Sequence, residues 1–287
     1  MAHLTATATG YPEPGFFEEL WGTFRGVKVA HSPEVWDERA EEWIAEIAED
    51  SSRLMARVHD NTGFLKSCGA LTDETSVVDV GCGPGLFSLE CAKTAKFSVG
   101  LDFSPRFVGY GNDCAGKQGL PNAVFECCDF AEEDTSRYDG RFTLAFSSIT
   151  PAVSTCERLA KFVRLSTAWC ANVAFVNFKD DLAAQISRDV FEEEYQSRWD
   201  GTGFYSLLNL LWLDGYYPLT HYYDDVRHEK LEPAEANARY MAESCRHFEP
   251  EGRAKVLRWL ETKGGAMRHS VAKFGMILWD RRERDPR

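Results

Sequence analysis

Short apolar runs recur between residues 70 and 180 and alternate with segments that carry charged residues at helical spacing. This alternation is typical of buried parallel strands joined by helices. The runs predict strands over residues 77–80, 97–102, 123–130, 141–148 and 172–178. Ser104 and Pro105 supply an N-cap and a first-turn proline for the helix after the second strand. The fold class predicted from this pattern is α/β.

Helical spacing dominates before this region. A short helix is predicted near residues 16–24, a second from Pro33 and a third over about 53–65. The second helix carries one apolar stripe, made of Trp36, Ala40, Trp43, Ile44 and Ile47. Core packing and a place beside a substrate are both open interpretations of Trp36 and Trp43.

After residue 180 the chain becomes helical and aromatic. Helices are predicted over residues 181–199 and 204–213, and the alternating residues 220–228 predict a strand. Pro233 and Pro250 are placed to open two further helices, and residues 273–280 form a last strand. Residues 229–270 are therefore predicted to be a helical insertion.

The most informative stretch follows the first strand, where Asp79 precedes glycines 81, 83 and 85. Glycine tolerates a positive φ and lets a ligand approach the backbone, and a simple tight turn is the alternative interpretation of the three glycines. The dinucleotide fingerprint G-x-G-x-x-G is not met, because Leu86 stands where its third glycine would lie. A carboxylate at Asp79 would repel a pyrophosphate and favours a ligand with positive charge.

This D-x-G-x-G-x-G stretch resembles the first motif of the class I S-adenosylmethionine-dependent methyltransferases, and the resemblance covers roughly residues 70–180. Asp102 ends the second strand 17 residues after Gly85, where an acid accepts hydrogen bonds from ribose hydroxyls. The resemblance implies that Asp129 takes the adenine amino group and that Phe130 lies against the ring.

The resemblance also implies a Rossmann-like seven-stranded sheet of order 3-2-1-4-5-7-6, with N-terminal helices and a late helical insertion. We expect an N-terminal helical cap over residues 1–68, a cofactor-binding core over 69–180, and the rest of the sheet with a substrate cap over 181–287. The expected cofactor is S-adenosyl-L-methionine. Its predicted binding residues are Asp79, Gly81, Cys82, Gly83, Gly85, Asp102, Phe103, Ser104, Asp129, Phe130 and Ser147.

The composition limits the classes of partner that this chain is expected to bind. The formal net charge of −13 disfavours sequence-independent attraction to nucleic acid or to an anionic membrane. No apolar run approaches a membrane span, and the first residues lack a secretory signal, so we expect a cytoplasmic protein. The nine cysteines are odd in number and form no C-x-x-C pair. Buried reduced thiols are therefore expected, with thiol-based metal chemistry as the alternative, and no metal site is predicted.

The acceptor is expected to be a small molecule, because the fourth strand ends without the N/D-P-P-Y/F sequence of amino-directed methyltransferases. Aromatic side chains would suit a hydrophobic or cationic acceptor. The candidate acceptor residues are Trp36, Thr150, Tyr205, Trp212, Tyr216 and Tyr222, with His31, His221, Tyr217 and Tyr223 as further possibilities. No catalytic base is assigned, and the expected assembly is a monomer or homodimer. A non-enzymatic S-adenosylmethionine sensor and an NAD-type oxidoreductase remain alternatives.

Overall fold

The computed structural model describes residues 13–23, 33–197 and 199–285. The strands are β1 (Ser76–Val80), β2 (Phe97–Asp102), β3 (Ala123–Cys127), β4 (Phe142–Ser148), β5 (Ser166–Asp180), β6 (Leu219–Leu231) and β7 (Ala266–Asp280). They form one sheet of order β3-β2-β1-β4-β5-β7-β6. The first five are parallel, and β7 pairs antiparallel with both β5 and β6. The predicted strand order is confirmed.

Ten helices of four or more residues accompany the sheet in this part of the chain. They are α1 (Pro14–Thr23), α2 (Pro33–Glu49), α3 (Ser52–Ser67), α4 (Leu86–Ala92), α5 (Pro105–Gln118), α6 (Cys156–Arg164), α7 (Asp181–Phe191), α8 (Thr202–Leu213), α9 (Glu235–Ser244) and α10 (Pro250–Lys263). None of these described helices has the length and apolar character needed to cross a lipid bilayer.

Alternate residues of the strands feed two separate hydrophobic clusters, one on each face of the sheet. The face covered by α1, α6 and α8 buries Val78, Ile277 and Trp279. The opposite face, covered by α3 and α4, buries Phe274 and Met276. The predicted division of the last strand, with even-numbered residues on one face and odd-numbered residues on the other, is confirmed.

Three strands continue past the carboxyl edge of the parallel sheet. Ser148 at the end of β4 pairs with Val173, but β5 runs on to Asp180. These seven extra residues carry the sheet about 23 Å further, at roughly 3.3 Å per residue. β7 and β6 extend beside it, and α7, α9 and α10 pack on the extension around a third cluster. The result is an upper layer that rises beside the glycine loop.

Several predicted boundaries were wrong. The helix from residue 181 ends at Phe191 instead of continuing to 199, because Glu192 adopts a left-handed conformation. β7 begins at residue 266 and not at 273, since long antiparallel pairing with β6 supports the extra residues. Helix α6 was missed. The two helices of the late insertion are confirmed, although strand extension shortens it to residues 232–265.

Candidate active site

The loop between β1 and α4 places three glycines in the left-handed region, with φ values of +70°, +52° and +77° at Gly81, Gly83 and Gly85. A Cβ at Gly81 would overlap the side chain of Thr150, and one at Gly85 would overlap the ring of Phe125. A Cβ at Gly83 would meet no atom within 4 Å. Packing therefore explains the outer glycines, while the middle one faces open space into which a ligand can fit.

Asp102 fixes this loop from the neighbouring strand. Its carboxylate accepts hydrogen bonds from the backbone N–H of Gly83 at 2.8 Å and of Ser104 at 3.0 Å. The side chain is buried, and burial raises its pKa, with the nearby Asp37 carboxylate adding to the effect. Asp102 thus both shapes the loop and brings negative charge to its edge.

Asp79 lies beneath the same loop and is also buried. Its carboxylate accepts a hydrogen bond from the Ser88 hydroxyl at 2.9 Å, at the start of α4. Burial raises the pKa of Asp79 to about 7, and the charge of Asp102 contributes to that shift. Two poorly solvated carboxyl groups close to one loop create a site that favours a cationic ligand.

The third predicted acid, Asp129, lies in the turn after β3 and is half-buried. It accepts a hydrogen bond from the backbone of Ala131 at 3.0 Å. Phe130, however, points its ring into the core, where it is 3% exposed beneath the Lys161 ammonium. A place for that ring against a cofactor is therefore not supported. The half-buried ring of Phe103, at the end of β2, remains near the loop.

The end of β4 differs from expectation in one respect. Ser147 is fully buried and accepts a hydrogen bond from the Asn172 amide at 2.9 Å, so its hydroxyl serves the sheet and offers no surface to a ligand. The next residue but one, Ile149, has a φ of 52°. A positive φ at a β-branched residue is strained and often marks a functional site. This conformation of Ile149 brings the Thr150 side chain against Gly81, at the open side of the glycine loop, which we call the loop mouth.

Cys82 lies within the loop, but its thiol is not set up as a nucleophile. Burial and the neighbouring Asp102 and Asp79 carboxylates raise its pKa well above the ordinary value. None of the nine cysteines forms a disulfide. Cys91, Cys128 and Cys170 are buried as expected, but Cys127 is exposed, so the expectation of a buried thiol is wrong for that residue.

Helix α2 spans the carboxyl edge of the sheet. At one end the hydroxyl of Ser104 donates a hydrogen bond to Asp37, and the Trp36 ring meets the Phe103 ring edge-on at 6.2 Å. Further along, Glu42 pairs with Arg239 of α9 at 3.0 Å. The helix is therefore held on both the cofactor side and the upper layer, and it acts as a cover.

Most of the aromatic residues predicted for the acceptor side lie elsewhere. Tyr216 is 7% exposed and packs in the core near the amino-terminal edge of the sheet, where the preceding Gly215 bonds Asp285 just beyond β7. Trp212 contacts Tyr217 at the same end. The acceptor roles predicted for Trp212 and Tyr216 were wrong, because α8 runs away from the carboxyl edge and buries its apolar stripe against the sheet.

Two other candidates are half-exposed on the α8 face. Tyr205 contacts Phe17 of α1, and Tyr222 on edge strand β6 contacts Phe204. His221 pairs with Asp60 at 2.6 Å. His31 lies outside the described residues.

The structure instead shows a cleft on the opposite face, between α3 and the extension of β5, β7 and β6. Its cavity volume is about 130 Å³. Its lining residues are Arg53, Arg57, Phe175, Phe178, Tyr195, Trp199, Asp225, Arg227, Tyr240, Ser244, Arg268, Ser270, Ala272 and Phe274. The sequence offered no signal for this set, because its members come from separate segments and its α3 residues lie more than 100 residues along the chain from all the others.

Comparison with known proteins agrees with the geometry of the loop. The sequence profile of the methyltransferase-domain family matches residues 71–187, which include the glycine loop and all three strand-end acids. The match confirms the predicted methyltransferase domain over residues 71–187 and supports S-adenosylmethionine as its cofactor.

Three solved structures illustrate the similarity in fold. An S-adenosylmethionine-dependent methyltransferase from Aquifex aeolicus is 14% identical with a TM-score of 0.45, over 83% of this chain and 97% of that one. The magnesium protoporphyrin IX methyltransferase of Synechocystis PCC 6803, with S-adenosylhomocysteine bound, is 14% identical with a TM-score of 0.46, over 92% and 94%. Geranyl diphosphate C-methyltransferase of Streptomyces coelicolor is 14% identical with a TM-score of 0.42, over 77% and 75%. At these scores the similarity carries no argument about the acceptor.

Proposed function

Because residues 71–187 form a methyltransferase domain of the S-adenosylmethionine-dependent class, we propose that this chain methylates a small molecule bound between the glycine loop and the upper layer. The observation that carries the proposal is the open space at Gly83 between the two buried carboxyl groups of Asp79 and Asp102.

The residues around the loop fit S-adenosylmethionine better than a dinucleotide. The cofactor carries an ammonium and a sulfonium and no phosphate, so negative charge at the site favours its binding. Two buried carboxyl groups would instead oppose a pyrophosphate. The pKa of Asp79, raised to about 7 by burial, means that a nearby cation is needed to hold this group ionised below neutral pH.

Individual residues take distinct parts in this proposal. Asp102 has lone pairs free of its two backbone contacts, which suit ribose hydroxyls, and Phe103 borders the same edge. Asp129 would accept a hydrogen bond from the adenine amino group. Thr150, whose side chain adjoins Gly81 at the loop mouth, would face the acceptor.

The chemistry makes modest demands on the protein. When bound, the sulfonium supplies an electrophilic methyl group, so catalysis rests on alignment of the nucleophile and exclusion of water. Helix α2, tied to Ser104 near its start and to Arg239 at its middle, covers the carboxyl edge and limits access by water. The covered edge and the net charge of −13 support a small acceptor over a nucleic acid.

A labelled-methyl transfer assay tests the proposal. The protein is incubated with S-adenosylmethionine carrying a trideuterated methyl group and with a cell extract separated into small-molecule, protein and nucleic-acid fractions. We expect the label in the small-molecule fraction, with S-adenosylhomocysteine formed in equal amount, and less of both products with the Asp102→Asn variant at sub-saturating cofactor. Label in protein or nucleic acid alone would contradict a small acceptor. Cofactor binding without transfer to any fraction would support a sensor instead.

A further inference from the structure

The cleft between α3 and the strand extension lies close to the loop that follows β4, whose Thr150 side chain adjoins Gly81 of the glycine loop. Ile149, which follows β4, donates its backbone N–H to Val173. Phe175 lies two residues further along β5, about 7 Å at strand spacing, and pairs with Phe274. Ile149 and Phe175 pack against one hydrophobic cluster. The floor of the cleft is therefore continuous with the mouth of the loop.

The cleft has a charge opposite to that of the whole chain. Four of its lining residues are arginines and one, Asp225, is acidic, whereas the chain carries a net charge of −13. Two of these arginines are neutralised. Arg268 is bound by Asp180 and Glu229 at 2.8 and 2.7 Å, and Arg53 pairs with Asp225 at 2.5 Å.

The charges of the other two arginines, Arg57 and Arg227, are not balanced by a close carboxylate and can therefore attract a ligand. Arg57 shares Asp225 at a longer distance of 3.9 Å, and its buried Nε has no hydrogen-bond partner. Its guanidinium stands over the Phe274 ring, 4.4 Å from the centroid. Arg227 is half-buried on β6 and has no acidic side chain within ion-pair distance among the described residues.

Aromatic rings form the rest of the cleft. Phe175 is stacked on Trp199 with ring centroids 4.3 Å apart, and the Phe274 ring packs at a tilt against Phe175 with a centroid distance of 4.6 Å. Tyr195 and Tyr240 complete the wall, and the Tyr240 hydroxyl is held by Arg268 at 2.7 Å. Such a surface favours a flat, apolar body, while guanidinium groups favour an oxyanion and repel a cation.

Given the methyl transfer proposed above, we infer that the acceptor is a planar, apolar molecule bearing a carboxylate or phosphate, bound in this cleft with its anionic group on Arg57 and Arg227. This narrows the sequence-based expectation of a hydrophobic or cationic acceptor. The acceptor body would lie against this aromatic wall, and its far end would reach the loop mouth at Ile149 and Thr150. Arg53 and Arg268 are positioning residues, which hold Asp225 and Tyr240 in place.

Calorimetric titration with four probes of one shape tests the inference. The probes are 2-naphthoate, 2-naphthyl phosphate, 2-naphthamide and 2-naphthylmethylamine, each titrated with and without S-adenosylhomocysteine. We expect at least one of the two anions to bind about tenfold or more tightly than the neutral amide, which is the size of a charge-assisted hydrogen bond, and the amine to bind most weakly. Equal binding of acid and amide, preference for the amine, or no binding of either anion would overturn the inference.

Arginine variants test whether the anionic probes bind at Arg57 and Arg227. Arg57→Gln and Arg227→Gln are each expected to weaken the preferred anion about tenfold and to leave the affinity for S-adenosylhomocysteine unchanged. Arg57→Lys should keep part of the affinity, because it retains the charge but not the planar fork. The matched control is Arg141→Gln, which removes the same charge from an exposed position at the amino-terminal start of β4. Unchanged anion affinity in both glutamine variants, or an equal loss in the control, would refute the assignment.

The titration with S-adenosylhomocysteine separates the two proposals. A chain that binds S-adenosylhomocysteine but shows no anion preference would overturn only this inference. A chain that binds the anion through Arg57 but not S-adenosylhomocysteine would overturn the proposed function.

Discussion

Replacing Asp79 by asparagine is expected to stabilise the chain in the absence of ligand, and increasingly so as the pH rises. The carboxyl is 2% exposed, and burial raises its pKa from the ordinary 3.8 to about 7. The folded chain therefore binds this proton more tightly than the unfolded chain does. That contribution to stability is complete below pH 4 and is lost as the pH rises towards 7.

The magnitude follows from the shift. Each pKa unit corresponds to about 1.4 kcal/mol, so an ionised Asp79 costs the folded state about 4 kcal/mol above pH 7 relative to acid pH. Asparagine can still accept the Ser88 hydroxyl, and any penalty for its buried amide is independent of pH. The free energy of unfolding of the variant, minus that of the wild type, should therefore increase by about 2–3 kcal/mol between pH 5 and pH 8.

Urea unfolding at pH 5, 6, 7 and 8 measures this difference directly. Ser88→Ala is a useful control, because it removes the hydrogen bond that lowers the pKa of Asp79 and should extend the pH dependence upwards. A difference between Asp79→Asn and the wild type that stays constant over this range would refute the reasoning. Such a result would mean that Asp79 is ionised in the folded chain at acid pH.

Three further changes have expected outcomes. Gly83→Ala should lower the free energy of unfolding only by the left-handed strain, about 1–2 kcal/mol, yet weaken the binding of S-adenosylmethionine in calorimetry about tenfold or more. Gly85→Ala should instead lose stability, because its Cβ would clash with Phe125. Equal effects on affinity and stability in the two variants would contradict this. Asp102→Ala should weaken the cofactor by about 1.5–3 kcal/mol in calorimetry and also lower the melting temperature, because two backbone donors lose their acceptor; an unchanged affinity would remove Asp102 from the site. Tyr216→Ala should lose about 3 kcal/mol of stability in urea with no change in cofactor affinity, and a stable variant with impaired turnover would restore its acceptor role.

The parts of this molecule that were predictable from sequence are those whose signal is local. The strand over Ser76–Val80, the glycines that follow it and the acid at the end of β2 lie close together along the chain, so their pattern fixes both fold and cofactor. The extent of β5 and β7 was not predictable, because their ends are set by pairing with each other across about 90 residues of sequence.

The residues on the acceptor side show more clearly what could not be predicted from the sequence. The aromatic spacing in α8 is the same whether the helix packs on a sheet or lines a cavity, and only the direction of the helix decides between them. Arg57 and Arg227 come together through the packing of α3 on β6, which no spacing in the sequence encodes. The strained backbone of Ile149 is likewise a property of the folded loop, since isoleucine ordinarily disfavours a positive φ.

Calorimetric titration of the wild-type chain with S-adenosylhomocysteine, S-adenosylmethionine and NAD tests the central claim most directly. The account predicts that each of the first two ligands binds once per chain, at the same site, and that NAD gives no measurable heat. Gly83→Val should lose the binding of both ligands, because its side chain would fill the open space of the loop. Binding of NAD at this site, or full S-adenosylmethionine affinity in a folded Gly83→Val variant, would contradict it.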